Sequence, residues 1–161
     1  MSMDKARAHM AKFGFEDRII ELSQSSATVA LAAEALGCAP EHIAKTLSFV
    51  SGESAILILA AGTARIDNAK FKARFGMKAK MLPAEVVESV VGHGVGGVCP
   101  FGVNPGIPVY LDDSLKAYEI VYPAAGTSAS AVELTIPELE LASEFTAWVD
   151  VAKEIDAGET A

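Results

Sequence analysis

Between Gly92 and Gly106 the chain reads Gly-His-Gly-Val-Gly-Gly-Val-Cys-Pro-Phe-Gly-Val-Asn-Pro-Gly, so dense in glycine and proline that the backbone must be its working surface. Glycine admits positive φ and leaves amide N–H groups open to a ligand, while each proline removes a donor and fixes the path. Backbone of this kind can polarise a carbonyl oxygen or cradle an anion. Gly92, Gly94 and Gly97 also satisfy G-x-G-x-x-G, but that dinucleotide fingerprint needs a strand before it and a helix after it. Here Pro83 to Val91 reads as a helix, with Pro83 at its first position and Val86, Val87, Val90 and Val91 apolar, and Pro100 and Pro105 forbid a continuing one. No G-K-[ST] follows, which excludes a P-loop.

A second chemical group is Lys45, in His42-Ile43-Ala44-Lys45-Thr46-Leu47-Ser48-Phe49. It sits at a helix-to-strand junction among apolar neighbours, so its ammonium either snorkels to water or serves a ligand, as an anion anchor or an oxyanion stabiliser. Cys99 beside the glycine amides, with His93 six positions earlier, has the residue types of a nucleophile and its base. A reactive thiol needs a lowered pKa, however, and the sequence does not bring His93 to it, so a small core-facing residue is the reading we adopt. Arg65, Lys70, Lys72, Arg74, Lys78 and Lys80 fall in one stretch with Asp67 its single acid, a basic patch that either steers a phosphate backbone or solvates a helix face and a strand edge.

The elements that must position these groups form one domain over residues 1–161. The apolar fraction of 51% suffices for a core, and no repeat, linker or low-complexity tract divides the chain. The longest apolar run, Ala55 to Ala61, is too short to span a membrane, and the charged N-terminus lacks a signal core, so a cytoplasmic location is expected. Cys38 and Cys99 lie far apart and the three histidines are scattered, so neither a disulfide framework nor a metal site is expected. A net charge of −8 argues against tight electrostatic binding of nucleic acid by this chain alone.

Helices are expected at Met3 to Phe13, stopped by Gly14, and from a Ser26 cap through Ala27 to Leu36, stopped by Gly37. Pro40 opens a short turn, and Thr46 to Val50 and Ala55 to Ala60 read as a hairpin. Asp67 caps a helix to Phe75, and Met77 to Leu82 reads as a strand. Further strands are expected at Val109 to Leu111, Glu119 to Tyr122, Ala131 to Leu134 and Thr146 to Val149, with a short helix at Pro137 to Leu141. His42 is expected on an exposed face, Trp148 in the core, and the tail from Glu154 to Ala161 to fray. Adjacent short strands with interspersed helices predict a mixed α/β fold of the α+β type, its sheet partly open and curled.

Three segments together, Ile43-Ala44-Lys45-Thr46-Leu47, Gly96-Gly97-Val98-Cys99-Pro100-Phe101-Gly102 and Ala125-Gly126-Thr127 leading into Val132-Glu133-Leu134-Thr135, resemble the YbaK/ProX family. Its members are free-standing relatives of the editing domain inserted in bacterial prolyl-tRNA synthetases. The resemblance covers about residues 20 to 150, and Tyr110-Leu111-Asp112, Tyr122 and the Gly126 loop extend it. It implies a mixed α/β domain around a curled sheet and hydrolysis of the ester that joins a mischarged amino acid to the 3′ end of a tRNA, without a cofactor. By resemblance, backbone N–H groups of Gly96, Gly97, Val98 and Cys99, closed by Pro100, receive the carbonyl oxygen. Lys45 holds the substrate's terminal region or the developing charge, and water, or in some relatives the substrate's own side chain, attacks. Thr28, Thr46, Gly126, Thr127 and Ser128 are the implied substrate contacts. Lys70, Lys72, Arg74, Lys78 and Lys80 would meet the tRNA acceptor end, which a synthetase or an elongation factor could present.

Cysteine-editing relatives carry Ser-Gly-Gly-Lys-Arg-Gly and then an acid after the tyrosine equivalent to Tyr122. Here the serine position is Ala124 and the acidic one Ala131, while Thr127, Ser128 and Ser130 offer hydroxyls. Cysteinyl specificity is therefore not transferred, and alanyl, seryl and threonyl esters stand beside it. A second function, a non-catalytic module that binds tRNA or a small ligand on the same fold, is compatible with the altered Ala124 to Ala131 loop.

Overall fold

The computed structural model describes residues 2–154. The tail expected to fray therefore lies, past Glu154, outside the described residues. Around a six-stranded mixed sheet, curled into a half-barrel, run helices α1 (Ser2–Ala11), α2 (Val29–Leu36), α3 (Asn68–Phe75), α4 (Ala84–Val91) and α5 (Ile136–Ser143). The sheet's centre is the expected hairpin, β2 (Ile43–Ser51) and β3 (Ser54–Ala61), antiparallel in register from Ala44↔Ala61 to Ser51↔Ser54. Parallel pairing extends it on both sides, to β6 (Ile120–Pro123) beside β2 and to β5 (Val109–Asp112) and β9 (Ala147–Val149) beyond β3. β8 (Leu134–Thr135) closes one edge against β6. Two short ladders flank the sheet, β1 (Ile19–Glu21) with β7 (Ser130–Val132), and β4 (Ala64–Ile66) with β10 (Ala152–Glu154).

Alternation along the hairpin divides the core. Leu57, Leu59 and Ala61 face the main cluster with Leu111, Leu115, Val121 and Leu134, whereas Phe49, Ile56 and Ile58 face Phe71 of α3. Ile43 packs separately under Ala32 and Ala33 of α2. Among the described residues no helix is long and apolar enough to cross a membrane.

Several boundaries differ from the sequence-based expectation. The cap of α2 is Thr28, whose Oγ1 accepts from the Leu31 N–H at 3.2 Å, and Ser26 is instead tied to Ser130. Pro83 is the N-cap of α4 rather than its first residue. Met77 to Leu82 forms no strand: it touches β2 only through a Phe49↔Met81 bridge, with Val50 N–H donating to the Lys80 carbonyl and Leu82 N–H to that of Ser48. Met77 and Ala79 of this segment pack against the Phe71 cluster. His42 is half-buried, with its ring against Tyr118 and Nδ1 2.9 Å from the Ile120 carbonyl, and Trp148 is half-buried with Nε1 donating to Glu140. The ladders of β1, β4 and β10 escaped notice because three-residue strands carry almost no periodicity.

Candidate active site

The site follows from where β2 loses its neighbours. β6 pairs with β2 only at Ile43↔Tyr122 and Ala44↔Pro123, and the Lys80 to Leu82 segment meets it only from Ser48 onward. Lys45 to Leu47 is left between them with no strand on its outer side. The same stretch lies between the helices that cover one face, α2 over Ile43 and α3 over Phe49. A cavity of about 440 Å³ occupies this gap, with Thr28, Lys45, Thr46, Gly96, Val98 and Ala124 in its walls. That volume is within the range of small-molecule sites.

Among the described residues Lys45 is the one charged side chain in the cavity wall. Its Nζ donates to the Gly62 carbonyl at 3.4 Å, a long bond that leaves donors to spare. Burial disfavours the ammonium and holds its pKa below the ordinary lysine value. Next to it, Thr46 Oγ1 is buried without a protein hydrogen-bond partner, an arrangement uncommon enough to mark a place for a ligand or water. Ser48 and Val50 use their outward backbone groups on Leu82 and Lys80. By strand alternation Thr46 points its N–H and carbonyl the same way, along the open edge.

The glycine loop contributes to the cavity wall through Val95, Gly96 and Val98. Gly96 has φ +89°, and a Cβ there would lie 3.1 Å from Ser128 Cβ. Gly97 is pressed against the second loop: a Cβ would fall 2.5 Å from Gly126 C and Thr127 N, and its N–H donates to the Gly94 carbonyl at 3.0 Å. Its role is close approach, and its N–H is engaged within the loop.

The remaining expected site residues lie farther out. Pro100 lines a separate cavity beside Lys5 and His9. Cys99 is fully buried, its thiol pushed up to about 12 by desolvation. The fold does bring His93 to it, Nε2 lying 3.5 Å from Sγ, but Nε2 also lies 2.6 Å from the Phe101 carbonyl and both side chains are sealed in the core. Thr127 Oγ1 accepts from the Ala129 N–H, and the exposed Ser128 gives its carbonyl to the Ser26 N–H. Ser130 Oγ accepts from the Ala125 and Thr127 N–H groups, and the Ser130 backbone bonds Ser26 Oγ through both its N–H and its carbonyl. The loop hydroxyls therefore mainly hold the loop together and to Ser26. Ala124 and Ala131 both line the cavity with methyl groups. Of the basic patch, Lys70 is bonded to Asp150 and to the Ala152 carbonyl, Arg74 lies over the Phe75 and Tyr110 rings, and Lys78 and Lys80 lie on the segment that leads to the cavity.

Sequence reasoning missed Ser26, Val29, Met81, Val87 and Val95 as cavity residues. Val95, an apolar side chain isolated between Gly94 and Gly96, was the one signal available in the sequence.

Residues 23–141 match the family described as the aminoacyl-tRNA editing domain. The uncharacterized protein YwhH of Bacillus subtilis (strain 168) is 48% identical over 156 residues, covering 96% of this chain and 99% of that protein. A crystal structure of a protein proposed to be a trans-editing enzyme for prolyl tRNA synthetase superposes with a TM-score of 0.84 at 31% identity, over 94% of this chain and 97% of its own. A chain solved in work on grafting epitopes onto scaffold proteins gives a TM-score of 0.83 at 28% identity, over 96% and 98%.

Proposed function

The chain belongs to the aminoacyl-tRNA editing domain family, and from that premise we propose that it is a trans-acting deacylase that hydrolyses the ester of a mischarged tRNA carrying a small amino acid. The observation that carries this reading is a cavity lined both by Lys45 and by the glycine loop. An aminoacyl ester is already activated, so the site needs to orient water and stabilise an oxyanion rather than supply a strong nucleophile.

In this reading the ester carbonyl oxygen meets the backbone of Gly96 to Val98, and Lys45 balances the charge that develops as water adds to the carbonyl carbon. The tetrahedral intermediate collapses with loss of the 3′ oxygen of the tRNA, which takes up a proton, leaving a free carboxylate. The orphaned Thr46 hydroxyl and the Thr46 carbonyl on the open edge are acceptors for the substrate's α-amino group. The methyls of Ala124 and Ala131 favour a small uncharged side chain, such as that of Ala, Ser, Thr or Cys. The acceptor end and its phosphates approach along Lys78 and Lys80, with a synthetase or elongation factor as presenting partner, and the location is the cytoplasm, where charged tRNA is used.

The test is release of amino acid from tRNAs correctly and incorrectly charged with Cys, Ala, Ser, Thr and Pro. Turnover of one or two esters by the wild type, lost in Lys45→Ala, is expected. A folded wild type that turns over none of them, with and without a synthetase present, sinks the reading and favours the binding module.

A further inference from the structure

Large apolar side chains scattered singly over a surface are ordinary, but a concentration of them around one opening is not. Among the described residues four large hydrophobics are exposed, Leu31 at 42%, Met81 at 52%, Val95 at 67% and Leu141 at 55%. Met81 and Val95 line the cavity of Lys45. Two of the four therefore border a single mouth, each from a different element: the segment before α4 and the glycine loop. Val95 is the clearest case, held out at a loop tip by Gly94 and Gly96, where a polar residue would be better solvated.

Inside the mouth the cavity offers the Lys45 ammonium and an unpartnered hydroxyl. Outside it, Lys78 and Lys80 precede Met81 on the same segment. A molecule that fits all three zones has a small polar acyl group, then a flat apolar ring system, then anionic charge. We propose that Met81 and Val95 form an apolar rim that packs against the unpaired terminal nucleobase of the tRNA acceptor end, holding it at the mouth while the aminoacyl ester enters the cavity. Every base has an apolar face, and bases drawn out of a helix are held by stacking on aromatic or apolar side chains. The adjoining phosphates then run past Lys80 and Lys78. The rim adds reach without distinguishing one tRNA from another, because the terminal nucleotide is shared by all of them.

This inference rests on the deacylase reading, and its test separates the two. Binding of two non-hydrolysable amides is measured by titration: alanine amide, and 3′-alanylamino-3′-deoxyadenosine, which adds the nucleoside. The wild type is expected to bind the adenosine compound about fivefold to tenfold more tightly, the lower end of what base stacking contributes. A Met81→Ser, Val95→Ser double variant, altered only at exposed positions and checked for native folding by circular dichroism, is expected to lose that advantage. If alanine amide binds and the nucleoside adds nothing, or if the double variant keeps the advantage, the rim has no such role although the deacylase reading stands. If neither compound binds, both ideas fall. A wild type that dimerises in a way the double variant does not would assign the rim to a second copy of the chain and overturn the proposal.

Discussion

At the scale of single residues, the proposed mechanism gives Lys45 a chemical use alongside a thermodynamic cost. Its folded pKa is held below the ordinary 10.5 by desolvation. Between the folded value and 10.5 the unfolded chain binds more protons, so the destabilisation Lys45 causes at neutral pH is relieved as pH rises through that window. Replacing it by an uncharged side chain of similar length should therefore stabilise the fold while removing activity. Solvent screening keeps the effect small, so we expect Lys45→Met to raise Tm slightly at pH 7, with the gap to wild type closing toward pH 10.5 and deacylation absent. Scanning calorimetry across pH checks the first and the charged-tRNA assay the second. In the wild type the rate relative to uncatalysed hydrolysis should fall with increasing pH through a value below 10.5, as the ammonium is lost. Cys99, with its thiol buried and its pKa pushed up to about 12, should be dispensable: Cys99→Ser is expected to keep turnover within about threefold of wild type, a loss below about 1 kcal/mol in barrier.

At the scale of elements, the two glycines of the loop answer different demands. Gly97→Ala would drive a Cβ into the Gly126 and Thr127 backbone, which cannot yield as a flexible side chain could. We expect a loss of about 2–4 kcal/mol by denaturant titration together with loss of turnover. Helix α5 is set by a reciprocal cap, Thr135 Oγ1 accepting from the Glu138 N–H and the Glu138 carboxylate from the Thr135 N–H, with Arg18 forked onto both carboxylate oxygens at 2.7 and 2.8 Å. Chiefly through Arg18, Glu138 is held down at about 2 from 4.5. Its stabilisation is thus complete above pH 4.5 and is lost as pH falls toward 2. Solvent screening keeps the pair small, so Arg18→Gln should flatten the acid limb of the stability profile between those values while changing stability at pH 7 only slightly, as acid titration of the two proteins would read. Much of this level could be read from the chain. The hairpin of β2 and β3, the Asp67 cap and the glycine loop announce themselves through local residue types. What makes the site could not be read: the gap at Lys45 to Leu47 exists because β6 and the Lys80 to Leu82 segment, both distant in sequence, pair with β2 on either side of it and stop short. Likewise the orphaned Thr46 hydroxyl is a property of its surroundings, and the meeting of His93 with Cys99 depends on a loop turning back on itself.

At the scale of the whole molecule, a chain of net charge −8 must meet a polyanion through local rather than overall charge. The basic stretch is not uniform in this respect. Lys70 is committed to Asp150 and the end of β10, and Arg74 to two aromatic rings, whereas Lys78 and Lys80 are exposed on the segment that leads to Met81 of the cavity wall and are the pair that the proposed approach uses. We expect Lys78→Glu with Lys80→Glu to weaken turnover of charged tRNA more than Lys72→Glu with Arg74→Glu does. The salt dependence of kcat/KM should flatten by about 0.7–1 in log–log slope for each phosphate that is no longer neutralised. Equal effects of the two pairs would remove Lys78 and Lys80 from the approach path.

The unpaired stretch of β2 also bears on solubility. A bare strand edge is a template for another chain's strand, and proteins commonly guard such edges by keeping them short and placing lysine on them. Here the open stretch runs only from Lys45 to Leu47, so the cation that lines the cavity also acts as a gatekeeper against edge-to-edge association. Lys45→Met, although more stable toward heat, should consequently be the more aggregation-prone protein, forming light-scattering assemblies at concentrations where the wild type remains clear.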